Sequence, residues 1–394
     1  MTPSPAFQRD RLTLLSYALI ASYIYFQSVL GPALPFLRQE LSLSFGDAAL
    51  HTSAMSLGVI VAGLVADRVV RRIGRSATLW SGGAGMVAGG ALIMLGQHIV
   101  VTILGAFLIG AVGNWLINSA NATLVDHHRE RRAIALTESN IVASALSMAP
   151  PLLVGGLQSL GLSWRGALLL AILVFGLLAL WGRTVPIPEA TETKQKREDQ
   201  DGKPKIGLPL IFWPFWLLTI LLVAIEWTLI FWGAGFLNTV VGLPPEQASA
   251  LMSSFILAMV IGRIGLSRLL LLFDSRQLLA ASFGVQGLGF ALFWLGQQPL
   301  LNVLGLFICG LGVSPQFPLA LGLVTGVAPG LADRVTARLS FGVGLSVLVL
   351  PLVLGLLADE LGLFRAFAVF IVMWLAAAIL FARLAGHLPQ HASA

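Results

Sequence analysis

A chain of 394 residues with 57% hydrophobic and only 11% charged side chains is not an ordinary soluble protein, which carries about 25% charged residues. Its net charge of +6 does not imply a nucleic-acid partner, because the basic residues fall between apolar segments rather than in one cluster. A single cysteine, Cys309, excludes an intramolecular disulfide.

In chain order, twelve apolar segments reach the ~20 residues that a helix needs to cross a bilayer. They lie at roughly 12–32, 47–69, 77–97, 99–122, 133–157, 164–185, 209–237, 246–271, 277–296, 299–325, 334–358 and 363–385. In lipid every backbone amide must be satisfied within the chain, so these segments are predicted to be helices. The alternating short strands of a barrel are not in evidence. The first segment is too long for a signal-peptide core and has no clear small-residue cleavage site, so it is expected to remain as a helix. All Lys and Arg except Arg38, Arg165 and Arg365 sit at the termini, in alternate loops or at helix ends on the same side. This bias predicts an inner-membrane protein with both termini in the cytoplasm.

The chain also repeats itself at an offset of 200 residues. Gly89, Ala91, Gly96 and Gln97 meet Gly289, Ala291, Gly296 and Gln297, while Pro151, Gly155 and Arg165 meet Pro351, Gly355 and Arg365. The expected fold is an all-α membrane protein whose 12 transmembrane helices form two pseudo-symmetric six-helix bundles, residues 1–185 and 208–394. Residues 186–207 between them are charged and poor in apolar residues, as in a tether. Its Lys194, Lys196 and Arg197 are placed to touch lipid headgroups, although a solvated tether is the simpler reading.

The loop after the second segment reads Gly63, Asp67, Arg68, Arg71, Arg72, Gly74, Arg75. It resembles the signature loop of the major facilitator superfamily, with a few extra residues between Asp-Arg and Gly-Arg. The resemblance covers essentially the whole chain. It implies a secondary transporter that alternates access by rocking one half against the other. It also implies that helices one, four, seven and ten line a central cavity, and that the second packs on the eleventh and the fifth on the eighth. On that packing Asp67 would pair with Arg338, and Glu138 with Arg263 or Arg268, as a latch at the cytoplasmic side.

Glu226 lies in the middle of the seventh segment, and its counterpart in the first half is Phe26, so the fold does not require a carboxylate there. No Lys or Arg is expected at its depth. Desolvation disfavours a charged carboxylate, which suits a group that takes up and releases a proton. Glu226 is therefore read as the coupling residue for protons, or for sodium. In the fourth segment Asn114, Asn118 and Asn121 fall on one helix face and offer donors and acceptors to a solute, or to a neighbouring helix. Pro315 and Pro318 break the tenth segment beside Ser314 and Gln316, where backbone is open to a ligand or the helix simply bends. Tyr23, Gln27, Trp115 and Trp227 complete the candidate substrate wall.

There is no Gly-Lys-Ser/Thr phosphate loop, no metal-ligand spacing and no nucleophile–base pair, so neither ATP, a cofactor, a metal nor enzymatic chemistry is expected. The expected partners are a small-molecule substrate, protons or sodium and the bilayer, with no nucleic acid, for a monomer. A neutral polar metabolite is favoured as cargo over lipophilic cations. A lipid flippase and a non-transporting receptor are more distant alternatives.

Overall fold

The computed structural model describes residues 7–189, 208–327 and 332–385, and among these the regular elements are all helices. Eleven stretches are long and apolar enough to cross a membrane: Arg11–Glu40, Phe45–Ile73, Arg75–Leu95, Ile99–Arg131, Ile134–Ser159, Phe212–Thr239, Pro245–Leu266, Ser275–Leu295, Pro299–Val324, Arg338–Leu361 and Leu363–Leu384. The expected sixth segment is the shorter apolar helix Gly166–Gly182. With it, each of the twelve predicted segments coincides with a helix, and they are called spans 1 to 12 in chain order. Of the tether, residues 190–207 lie outside the described residues, and Lys194, Lys196 and Arg197 with them.

Five spans are divided. Span 1 is divided between Ser28 and Leu30, span 4 between Ala111 and Gly113, span 5 between Leu146 and Ala149, span 12 between Ala366 and Ala368, and span 10 between Val313 and Gln316. The last break is where proline predicts it. Pro315 cannot continue the ladder, and Pro318 falls in the first turn of the new helix, where its missing N–H would have no partner anyway.

The described residues divide into two compact units, 7–29 with Leu57–Pro150 and 165–189, and Leu30–Ser56 with Pro151–Trp164, 208–327 and 332–385. In the first, spans 3 and 4 meet backbone to backbone, Gly89 against the Gly105 carbonyl and Gly105 against that of Gly89. In the second, spans 9 and 10 repeat the contact 200 residues on, with Gly289 against the Cys309 backbone and Gly305 against Phe293 and the Gly289 carbonyl. The repeat read from the sequence is thus a repeat of helix contacts.

The second unit gathers first-half residues at the end of the molecule away from the tether, here the far end. Gly31 of span 1 lies on the Ile230 carbonyl, and the Ser249 hydroxyl donates to the Pro32 carbonyl at 2.7 Å. Gly155 of span 5 seats on the Glu246 carbonyl and Ala250 of span 8. Gly355 of span 11 seats on the Phe45 carbonyl and Ala49 of span 2 in the same manner. The Asp359 carboxylate accepts the first amides of span 2, Phe45 N at 2.7 Å and Gly46 N at 2.8 Å. Ser53 donates to the Leu348 carbonyl at 2.7 Å. These contacts bury the first-half segments of the second unit against spans 7, 8 and 11.

At the tether end of the first unit, Asp10 caps span 1, accepting from the Thr13 amide at 2.9 Å and hydroxyl at 2.6 Å and from His127 at 2.7 Å. Burial pushes the Asp10 carboxyl up, but these three partners outweigh it and hold the group below its usual range. Its contribution is complete above the ordinary aspartate range and is lost as pH falls through the lowered value.

Two outcomes follow. Asp10→Ala should lower stability by about 1 kcal/mol in a thermal melt at neutral pH, and Asp10→Asn, which keeps the cap, by less; equal losses would show that capping is not the cause. Valine at both Gly155 and Gly355 overpacks the far end by about 1–3 kcal/mol. In a Cys309→Ser background, the buried Ser53→Cys thiol should then react at least several-fold faster with a maleimide, and an unchanged rate would refute this packing role.

Candidate functional site

Glu226 stands midway along span 7, a helix that is apolar on every side. Its carboxylate is largely buried, with 14% of the side chain exposed. It faces the guanidinium of Arg263 in span 8 at 3.6 Å, a residue whose side chain is 43% exposed. The expectation that no cation reaches this depth is therefore corrected. Arg263 begins nearer the tether end, but its long side chain carries the charge along the helix face, as arginine stems do. The separation exceeds the 2.7–2.9 Å of a close charge-assisted hydrogen bond, so the pair is loose. Phe26, the counterpart of Glu226, is buried against Gly90, where it serves packing alone.

In the first half, Asn118 donates to the Asn114 carbonyl oxygen at 2.6 Å, and Asn114 donates to the Tyr23 hydroxyl at 3.3 Å. Tyr23 is buried at 2% exposure and Asn118 is exposed, so a polar chain runs from the interior to an open end. The i, i+4 spacing produces it, because residues four apart stand one above the other on a helix. Asn121 is half-buried on the same face, and Gln27 is half-buried in span 1. Trp115 has its indole nitrogen buried without a hydrogen-bond partner. In span 7, Trp227 packs on Phe231 with ring centroids 5.3 Å apart.

Ser314 and Gln316, expected on the substrate wall, are packed between helices in this structure. Both are 1% exposed. Ser314 donates to the Leu311 carbonyl at 3.0 Å and lies against Gly262 of span 8. Gln316 donates to Gln286 of span 9 at 2.9 Å. The break in span 10 turns these side chains toward neighbouring helices.

The latch residues take partners that spacing did not suggest. Glu138 is held by Arg9, which donates through Nε at 2.9 Å and Nη2 at 2.6 Å, and by the Tyr17 hydroxyl at 3.2 Å. Expected for Glu138 was Arg263 or Arg268; Arg263 instead meets Glu226, and Arg268 is exposed. The physical reason is proximity, since Arg9 precedes span 1 and reaches Glu138 as a two-pronged fork. The carboxylate raises the Arg9 guanidinium above its ordinary value. Gly63, Asp67, Arg68, Arg71 and Arg72 of the signature loop are exposed. Gly74 turns the chain at φ +83°, a conformation that favours glycine. Arg75 is buried and donates to Asp126 at 2.6 Å, while its amide is capped by Glu189 at 2.7 Å. Arg338 is exposed, and its carbonyl accepts from the Trp216 indole at 2.8 Å. His127 and His128, in the last turn of the second helix of span 4, bind Asp10 and Thr13, and no group of three or more His, Cys, Asp or Glu could hold a metal among the described residues.

The fold is shared with several solved structures. A variant of the nucleoside transporter NupG superposes with a TM-score of 0.75 at 14% identity, over 95% of this chain and 99% of that one. A bacterial homologue of the human lysosomal transporter Spinster, inward-facing and unoccupied, gives 0.75 at 14% identity over 98% and 99%. The peptide transporter POT, as a point variant, gives 0.73 at 15% identity over 98% and 96%. These likenesses carry the fold. The uncharacterized transporter YycB of Bacillus subtilis (strain 168) is 31% identical over 157 residues, and this alignment spans 38% of that protein and 37% of this chain. A sequence profile of the Major Facilitator Superfamily matches residues 17–329 and again 216–393. With twelve helices, a 200-residue repeat and that match, the chain belongs to the Major Facilitator Superfamily and is a multi-pass membrane transporter, not an enzyme.

Proposed function

We propose that this transporter is a proton-coupled carrier of a small, neutral, polar organic solute, working by alternating access. The loose Glu226–Arg263 pair carries the reading. A proton on Glu226 cancels the attraction to Arg263, and deprotonation restores it, so the pair biases two arrangements of spans 7 and 8. The Tyr23–Asn114–Asn118 chain supplies the recognition surface, since amides and a hydroxyl read hydroxyl, amide or carbonyl groups of a solute. A carboxylate already faced by a guanidinium is a poor reader for lipophilic cations, which disfavours the exporter alternative. Sodium in place of the proton is the variant of the same scheme.

The distribution of Lys and Arg supports a tether end in the cytoplasm. In this scheme the far-end contacts part when the solute exchanges with the outside. The cytoplasmic side then closes through Asp67 with Arg338, and Glu138 exchanges Arg9 for a second-half arginine.

Purified protein screened by thermal shift against nucleosides, sugars, amino acids and tetraphenylphosphonium, at pH 5.5 and 8, tests the reading. A bound solute at 100 times its Kd should stabilise by about 2.7 kcal/mol. The expected result is stabilisation by a polar compound, with a pH dependence that disappears in Glu226→Gln. Stabilisation by tetraphenylphosphonium, strongest at pH 8, would establish the exporter instead. Retention of the pH dependence in Glu226→Gln would remove the coupling role, and dependence on sodium at fixed pH would replace the proton. For the latch, Asp67→Arg and Arg338→Asp should each impair uptake of the identified solute into vesicles, and the double exchange should restore part of it. A double exchange as inactive as the single variants would end the pairing.

A further inference from the structure

A crevice of about 530 Å³ lies between spans 3 and 6, outside the transport site and within the first unit. One wall runs along span 3 from Trp80 to Val87, and the other along span 6 from Ile172 through Gly176 and Ala179 to Arg183. Apart from Arg183 the lining is apolar. Span 6 ends at Gly182, so Arg183 stands exposed at the tether end while Ile172 lies deep within the span. From Ile172 to Arg183 the chain rises about 16 Å at 1.5 Å per residue. This is close to half of the ~30 Å hydrocarbon core, the depth of a single leaflet.

The other half of the molecule shows what the same place looks like when the protein fills it. Between spans 9 and 12, Trp374 lies against Gly287, and its indole donates to the Phe283 carbonyl at 3.2 Å. The counterparts 200 residues earlier are Val174 for Trp374, Val87 for Gly287 and Gly83 for Phe283. Val174 is 46% exposed and plugs nothing. Gly176 has no atom within 4 Å of where a Cβ would stand. In the first half Phe175, one residue on from Val174, seats on Gly83 instead, and the crevice remains beside it along Ala84, Val87, Gly176 and Ala179.

We infer that the crevice between spans 3 and 6 holds one acyl chain of an anionic phospholipid from the tether-side leaflet, with the lipid phosphate on Arg183. The apolar walls match the chain, their depth matches one leaflet, and the guanidinium at the mouth matches a phosphate, which it can bind through two N–H donors. This site is independent of the transport reading.

Native mass spectrometry of the full chain in a neutral detergent tests it. The probes are palmitoyl-oleoyl phosphatidylglycerol, phosphatidylcholine with the same chains, and inorganic phosphate. The expected result is one phosphatidylglycerol retained per chain, about fivefold over phosphatidylcholine. Arg183→Gln should bring the two lipids to parity without abolishing retention. Gly176→Leu, which grows into open space, should abolish retention of both. Unchanged retention in Gly176→Leu, an unchanged preference in Arg183→Gln, or displacement of the lipid by inorganic phosphate alone would each overturn the proposal.

Discussion

Close approach of helix backbones at glycine is the interaction on which this structure rests. In hydrocarbon an apolar side chain gains nothing by leaving lipid for another apolar side chain, so helices associate through fit and hydrogen bonding. Glycine permits the fit, because without a Cβ the neighbouring backbone comes into contact. Gly89 and Gly105 lock spans 3 and 4, Gly289 and Gly305 lock spans 9 and 10, and Gly31, Gly155 and Gly355 pack the far end. Side chains enter mainly as hydrogen-bonding tips, as Ser53, Ser249 and Asp359 do, each taking a backbone group as partner.

Much of this was legible from the residues. A membrane helix must be long and apolar, so the twelve spans could be read directly. The repeat was legible because glycines and prolines hold their places when helix contacts are duplicated. Glu226 stood out for the same reason that makes it costly, as one carboxylate in an apolar helix. The asparagine face in span 4 was legible as well, since polar side chains at i and i+4 mark a direction.

What was hidden lies in quantities that spacing does not encode. A helix that is apolar all round carries no record of which side faces its neighbours. Ser314 and Gln316 could therefore be placed at a break but not oriented, and they face Gly262 and Gln286. Counting depth by residue number placed Arg263 below Glu226, and the length of its side chain closed the gap. Arg9 belongs to a short polar segment with no periodicity, so nothing marked it as the partner of Glu138. The crevice between spans 3 and 6 leaves no mark in the apolar pattern of either span.

The breaks in spans 1 and 5 have a mechanical meaning. A continuous helix is a stiff rod, because each residue is tied to the turns on both sides of it. At Val29 and at Ser147 the amides still bond the Tyr25 and Ala143 carbonyls, and at Met148 the bond tightens to Ala145 at 3.3 Å, so each span changes pitch without parting. The division between the two compact units falls at Val29 in the first case and two residues beyond Met148 in the second. The ends of one span thus belong to different compact units while the chain between them stays unbroken.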